Sequence, residues 1–464
     1  MIQFGTGGWR AIIGDEFIRE NIEKVAAAMA LLLKEEKKDH HGVVIGYDKR
    51  FLSDKASRWI AEVFAGHGIA VNYIEKVSPT PLIMYTVKAF ACDYGMAVTA
   101  SHNPADYNGI KIFTKGGKDA DLSVTEKLEK IIEKLQEEDL KKVPFEEAVT
   151  KGIIRLVSPF NDYVDTIISM LDKEKIRNSE LKILLDPMFG VSKAALQTVL
   201  ITMRCEVDVI NDRHDTSFGG RMPSPSEETL GKLRDMVKTG RYDLGIGTDG
   251  DADRLGIIDE EGNYVTANDI MSLLYYYLLK YKGMKGPVVR NISTTHLLDK
   301  IAESFQQKAY EVPVGFKHIS SKMMDTGAII GGESSGGLTI EGHIKGKDGI
   351  FAAALLVEMI SVTGKRIHEL RTHLQELYGT FFMHEENMAL TREKEAALKK
   401  KLFEEKALPK PYKEVEKVSY EDGLKIYYTD GGWLVARFSG TEKLLRVFTE
   451  GATKREAKNT AEAF

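Results

Sequence analysis

Short apolar runs alternate with amphipathic stretches through most of the chain. Periodic apolar positions predict a helix over Arg19 to Lys38, and Val43-Val44-Ile45-Gly46 after it reads as a strand. Ile183-Leu184-Leu185 predicts a strand that runs into Asp186-Pro187 and a helix near Val191 to Val199. Leu244-Gly245-Ile246 leads into an acidic loop, and Pro287-Val288-Val289 into Asn291 to Thr295 and another helix. Repeated strand-loop-helix units imply parallel sheets covered by helices. In such sheets ligands bind at the carboxyl ends of the strands, and several polar clusters fall there. The C-terminal part differs in character. Trp433 to Phe438 and Leu444 to Phe448 read as two strands joined by a short polar loop, which predicts an antiparallel α+β unit. Glu126 to Lys142 and Glu393 to Lys406 read as charged, solvated helices, and Val143-Pro144-Phe145 as a joint. The first three units share a pattern, but their identity is too low to define repeats.

Length and composition narrow the class. At 464 residues the chain is expected to hold roughly two to four domains. Its 29% charged and 43% hydrophobic residues are those of a soluble globular protein. A net charge of −5 argues against a general nucleic-acid binder and against a basic membrane surface. The only cysteines, Cys92 and Cys205, exclude a disulfide framework and fit a reducing cytoplasm. No signal peptide is visible, and the apolar run Val25 to Leu33 falls short of the roughly 18 residues of a membrane span. The sequence stops at Glu462-Ala463-Phe464 inside a predicted helix.

Two segments carry the strongest chemistry. Thr99-Ala100-Ser101-His102-Asn103-Pro104 offers a hydroxyl in a turn-rich loop. Asp249-Gly250-Asp251-Ala252-Asp253-Arg254 offers carboxylates at alternate positions, separated by residues small enough to let them converge. Such hard oxygen donors suit Mg²⁺, and without a cation they would repel one another. An EF-hand is rejected because Arg254 stands where its turn needs glycine and both flanks read as strands. Serine needs an activating partner. No Gly-x-Ser-x-Gly elbow is present, so an esterase triad is not expected, and the aspartate loop is the candidate partner.

Three further loops complete the inventory. In Gly331 to Gly337, Glu333 and Ser335 are candidates for binding sugar hydroxyls. Arg437-Phe438-Ser439-Gly440-Thr441-Glu442, followed by Arg446, combines backbone N–H groups, hydroxyls and guanidiniums into an anion nest. Gly5-Thr6-Gly7-Gly8-Trp9-Arg10 lacks Walker and dinucleotide spacing, but Arg10 can face an anion.

Taken in order, these motifs resemble the α-D-phosphohexomutase family, in particular bacterial phosphoglucomutase/phosphomannomutase. The resemblance spans nearly the whole chain. It runs through Phe4 to Arg10, Gly46-Tyr47-Asp48-Lys49-Arg50, Thr99 to Pro104, Asp249 to Arg254, Gly332 to Gly336 and Arg437 to Glu442. It implies an α/β fold of four domains around a central cleft. Three similar α/β domains with mixed or parallel sheets would span 1–145, 146–255 and 256–370, with a C-terminal α+β domain over 371–464. It implies Ser101 as a phosphoserine whose phosphate, with Asp249, Asp251 and Asp253, holds Mg²⁺. Lys111, Arg10, Arg254 and Lys317 of Val314-Gly315-Phe316-Lys317-His318 would be catalytic. Glu333 and Ser335 would bind the sugar, and Arg437, Ser439, Gly440, Thr441 and Arg446 its phosphate.

The implied reaction moves a phosphoryl group reversibly between C1 and C6 of a hexose phosphate. Its intermediate and activator would be glucose 1,6-bisphosphate. The expected partners are small hexose phosphates, with no nucleic acid and no membrane, in a cytoplasmic monomer or homodimer. Glu333-Ser334-Ser335-Gly336-Gly337 looks closer to glucose-phosphate enzymes, with phosphomannomutase or phosphoglucosamine mutase specificity as alternatives. A serine-dependent sugar-phosphate phosphatase would share Ser101 and the metal but not the distal phosphate site. Intact Ser101, Lys111 and aspartates argue against a non-catalytic sugar-phosphate binder. There are two departures. Many relatives carry histidine where Gly337 stands, leaving His343 as a nearby candidate for that role, and proline is common where Lys443 stands.

Overall fold

Mixed and parallel sheets with helical connections fill most of the chain, and an antiparallel sheet follows at the C-terminal end. A computed structural model describes residues 2–5, 7–408, 413–438 and 444–464. It divides into two compact units, Met1–Ile270 with Ser335–His368, and Met271–Ser334 with Glu369–Phe464.

In the first unit one sheet runs in the order Trp9–Ile12, Tyr107–Thr114, Tyr94–Val98, Val43–Tyr47, Val71–Ile74, Ile154–Val157. The last four strands are parallel, while Tyr107–Thr114 pairs antiparallel with both of its neighbours. The strand Tyr94–Val98 is buried at every position, as a parallel strand covered on both faces must be. Helix Arg19–Glu35 contains the apolar run Val25 to Leu33, and four alanines there let neighbours pack closely around it. Among the described residues no helix is long and apolar enough to cross a membrane.

A second sheet in this unit runs Tyr264–Val265, Leu255–Ile258, Leu244–Thr248, Lys182–Asp186, Glu206–Val209. Leu244–Thr248 is parallel to Lys182–Asp186 and antiparallel to Leu255–Ile258. Its carboxyl end therefore turns directly through the acidic segment 249–254 into a returning strand.

The second unit contains the parallel strands Ala309–Val312, Val288–Asn291 and Ile330–Gly332. It also contains an antiparallel sheet ordered Phe382–Ala389, Leu444–Gly451, Trp433–Phe438, Leu424–Tyr428, Val415–Ser419. Helix Lys454–Ala463 covers this sheet with Ala461, over a core of Leu424, Ile426, Leu434 and Val447.

One expected element differs. The charged stretch Glu126 to Lys142 is not a single helix. Helix Leu122–Ile132 buries Val124 and Leu128, and the chain then breaks into a separate turn, Glu137–Asp139. Gln136 and Asp139 cap that turn reciprocally, which gives the backbone local partners outside a continuous helix. The other charged stretch forms helix Arg392–Lys399, capped by Thr391, and continues as a π-helical turn over Lys400–Glu404.

Candidate active site

In the first unit, two loops that each leave the carboxyl end of a strand meet. The loop after Leu244–Thr248 brings one carboxylate oxygen from each of Asp249, Asp251 and Asp253 within 4.8 Å of one another, all buried. Ala252 bends the loop through a left-handed conformation, φ 63°. The loop after Tyr94–Val98 places Ser101 at φ 55°, with its Oγ donating to Asp249 Oδ2 at 2.9 Å. The approach is close enough to fix a glycine. A Cβ on Gly250 would stand 2.7 Å from the Ser101 carbonyl oxygen.

Cations surround the carboxylates. Lys111 Nζ, from strand Tyr107–Thr114, donates to Asp251 Oδ2 at 2.6 Å and Asp253 Oδ2 at 2.7 Å. Thr80, at the start of helix Thr80–Ala89, adds a 2.6 Å hydrogen bond to Asp251 Oδ2. The Arg254 N–H donates to Asp249 Oδ1 at 3.1 Å, and its guanidinium lies 3.9 Å from Asp253. Arg10 Nη1 donates to Asn103 Oδ1 at 2.9 Å, which ties strand Trp9–Ile12 to the serine loop.

These charges split the three carboxyls. Burial, then the charges of Asp251 and Asp253, pushes Asp249 well above the usual carboxylate range. Burial also opposes ionisation of Asp253, but Lys111, Lys347 and Arg254 hold it well below that range. Arg254, burial and Arg10 keep the His102 imidazole neutral, its pKa far below the ordinary value.

Asp251 Oδ1 and Asp253 Oδ1 are buried with no hydrogen-bond partner. Unsatisfied buried carboxylate oxygens are rare and call for a missing partner. Three carboxylates and a serine hydroxyl form a hard oxygen donor set, so the residues present fit a divalent cation such as Mg²⁺.

Lys347 joins the cluster as well. Its Nζ lies 3.0 Å from Asp253 Oδ2, and its stem occupies the space beside Gly337, where a Cβ would fall 2.3 Å from Lys347 Cδ. Asp348 caps helix Gly349–Thr363, and the Gly349 N–H bonds the Ala252 carbonyl at 3.2 Å, which sets Lys347 against the aspartate loop. His343, the nearby candidate for the role of the family histidine, lies beside the same cap. It is buried, bonds Asp348 Oδ2 at 2.7 Å and packs on Phe351, so it braces that cap. No local pattern announces Lys347; Lys345-Gly346-Lys347-Asp348-Gly349 reads as a surface turn. Ser335 is exposed, in the same loop as Gly336, which pairs with the backbone of Leu255.

The second unit gathers the remaining candidates. Buried Glu333 accepts from the Gly315 N–H at 3.0 Å and from Asn291 Nδ2 at 3.4 Å. Gly315, at φ 126°, opens helix Phe316–Thr326, whose first turn carries buried Lys317. Asp422 joins this turn to the antiparallel sheet. It accepts from the Val314 N–H at 2.7 Å and from Arg437 Nε at 2.8 Å. Arg437 and Arg446 are direct cross-strand partners. Like charges directly opposite destabilise a sheet, and each arginine has a carboxylate near it, Asp422 for Arg437 and Glu385, 3.9 Å away, for Arg446. Ser439, Gly440, Thr441 and Lys443 lie outside the described residues, as does Thr6.

Comparison with known proteins agrees with this arrangement. Phosphoglucomutase/phosphomannomutase family models match in chain order. Alpha/beta/alpha domain I covers residues 1–139, domain II 161–262, domain III 266–378 and the C-terminal domain 387–464. A phosphoglucomutase/phosphomannomutase of Thermococcus kodakarensis is 30% identical over 460 residues, 99% of this chain and 96% of that protein. A phosphoglucosamine/phosphogalactosamine mutase of Sulfurisphaera tokodaii is 30% identical over 98% of this chain and 96% of its own length. A crystal structure from Thermus thermophilus matches at TM-score 0.86 and 26% identity, covering 100% of this chain and 98% of that one. Paired serine and aspartate loops, domain models in order and full-length relatives establish that the chain belongs to the phosphoglucomutase/phosphomannomutase family of phosphohexomutases.

Proposed function

We propose that the chain is a phosphoglucomutase that interconverts glucose 1-phosphate and glucose 6-phosphate in the cytoplasm, with Ser101 as the phosphoryl carrier. The observation that carries this reading is the Ser101 hydroxyl lying 2.9 Å from Asp249 within a cluster of buried carboxylates. A sugar hydroxyl attacks the phosphorus borne by Ser101. The Oγ–P bond breaks, the new sugar O–P bond forms, and the proton lost by the attacking hydroxyl ends on Ser101 Oγ, which is then the hydroxyl that donates to Asp249. The product is a hexose 1,6-bisphosphate. After it turns over, Oγ takes the other phosphoryl group back.

Asp249, Asp251 and Asp253, with the oxygens on Ser101, would hold Mg²⁺, which when bound neutralises charge on the transferred group. Lys111, Arg10 and Arg254 present positive charge to the same group, and Lys317 acts on the substrate from a separate loop. Glu333 and Ser335 bind sugar hydroxyls. Arg437, Ser439, Gly440, Thr441 and Arg446 hold the phosphate that is not reacting. A phosphatase has no use for such a distal anchor, and the opposed Arg437 and Arg446 support one.

Incubation with glucose 1-phosphate, Mg²⁺ and a trace of glucose 1,6-bisphosphate tests the reading. Glucose 6-phosphate is expected, and release of free phosphate or no product contradicts it. A second reading, glucosamine 1-phosphate as the preferred substrate, is favoured by the name of the Sulfurisphaera relative. Relative kcat/KM on glucose, mannose and glucosamine 1-phosphates decides between them.

A further inference from the structure

Arg50 is buried, with 3% of its surface exposed, yet it touches none of the carboxylates of the aspartate loop within hydrogen-bond distance. Its guanidinium is spent on one loop. Nη2 donates to the carbonyls of Ser101 at 2.7 Å and Asn103 at 2.6 Å. Nη1 donates to the carbonyls of Pro104 at 2.8 Å and Tyr107 at 3.1 Å. Only a planar fork with fixed N–H directions can serve four carbonyls at once. The Nε edge lies 3.6 Å from Asp48, and the plane rests on the Phe218 ring at 4.7 Å.

Asp48 works on the other side of the same residue. Its Oδ2 accepts from Thr99 Oγ1 at 2.6 Å, and Thr99 Oγ1 accepts from the Ser101 N–H at 2.9 Å. Its Oδ1 accepts from the Arg50 N–H and from Ser53 Oγ, both at 2.9 Å. Both the N–H and the carbonyl of Ser101 are therefore held by one short segment, 48–50. Ser101 needs this, because its φ of 55° lies in the left-handed region. A non-glycine residue persists there only where its surroundings over-determine it.

From this geometry we infer that Arg50, seconded by Asp48 through Thr99, is the positioning residue for the phosphoryl carrier. It locks the Ser101 backbone so that Oγ stays aimed at the aspartates in both phosphorylation states. The inference rests on the reading of Ser101 as the carrier. Within the serine loop Arg50 bonds backbone carbonyls alone, and its other neighbours are Asp48 and Phe218, so its removal is expected to change the transfer rate and not substrate affinity.

The test compares parent, Arg50→Met, Arg50→Lys and Thr99→Val. Amide hydrogen exchange over residues 99–109 should accelerate at least about tenfold in Arg50→Met, the factor for 1.4 kcal/mol. The kcat for glucose 1-phosphate should fall by about tenfold or more on the same scale, while KM stays within about twofold. Arg50→Lys should fall between Met and parent, because an ammonium restores charge but not the fork. Should Arg50→Met fail to fold, Thr99→Val, which removes only the hydroxyl link, carries the same two readouts. Unchanged exchange, kcat within twofold of parent, or KM rising with kcat intact overturns the inference. A parent that never carries phosphate on Ser101 overturns the mutase reading instead, and the exchange measurement alone then decides the clamp.

Discussion

At the residue scale the site depends on approaches that leave no room for error. The Ser101 carbonyl passes so close to Gly250 that a single methyl group collides with it. Gly250→Ala must therefore move either the serine or the aspartate loop. Misplacing a reacting atom by about 1 Å costs on the order of 100-fold. Gly250→Ala is expected to lower kcat at least tenfold, measured as glucose 6-phosphate formation, with the far-ultraviolet circular dichroism of the parent. Arg437, proposed as a phosphate anchor, would work through charge. It is held to Asp422 and stands opposite Arg446. Arg437→Ala should raise KM and lower kcat together, because binding energy from the non-reacting phosphate also lowers the barrier at the reacting end. One charge-assisted contact is worth about 1.5–3 kcal/mol. A kcat/KM within twofold of the parent would remove Arg437 from the phosphate anchor.

At the scale of elements, Glu36 ties two helices to a strand of the first sheet. It follows helix Arg19–Glu35 and accepts from Lys38 at 2.7 Å, Lys127 of helix Leu122–Ile132 at 2.8 Å and Tyr94 of the central strand at 2.7 Å. Burial alone would raise its pKa, but the hydrogen bonds from Lys127, Lys38 and Tyr94 bring it down to about 2. A folded-state pKa below the unfolded value of about 4.3 gives stability that is complete above that value. It is lost as pH falls toward 2. Solvent screening limits each such surface pair to about 0.2–1 kcal/mol. Glu36→Gln should therefore lower Tm slightly at pH 7 and flatten its fall between about pH 4.3 and the folded value. A Tm curve parallel to the parent's would refute the tie.

Elements were legible where the signal was local. Strands Val43–Tyr47, Leu244–Thr248 and Trp433–Phe438 announce themselves as apolar runs, and Asp249 to Arg254 as carboxylates among small residues. The break inside Glu126 to Lys142 was hidden because Gln136 and Asp139 cap the turn without glycine or proline. Lys347, Thr80 and the role of Arg50, whose segment Gly46 to Arg50 does belong to the motifs read, escaped for another reason. Each meets the site through contacts far apart in sequence, such as Thr80 with Asp251, and no local pattern reports those.

For the molecule as a whole, a cation held by the aspartate loop would couple metal binding to folding. Asp251 Oδ1 and Asp253 Oδ1, buried without a hydrogen-bond partner, would gain one in a bound cation. A ligand at 100 times its Kd stabilises the folded state by about 2.7 kcal/mol. Mg²⁺ should raise the thermal transition of the parent and leave that of Asp251→Asn nearly unmoved, and chelator should abolish activity until Mg²⁺ is restored. Activity that persists in chelator would contradict the metal assignment. The central claim, that Ser101 carries the phosphoryl group, meets its most direct test in intact-protein mass spectrometry. Treatment with glucose 1,6-bisphosphate and Mg²⁺ should add the mass of one phosphoryl group, located by fragmentation at Ser101 and absent from Ser101→Ala. Adding glucose 1-phosphate should then remove it as glucose 1,6-bisphosphate appears. A parent that gains no such mass while it turns over substrate, or a Ser101→Ala variant with substantial activity, would contradict the account.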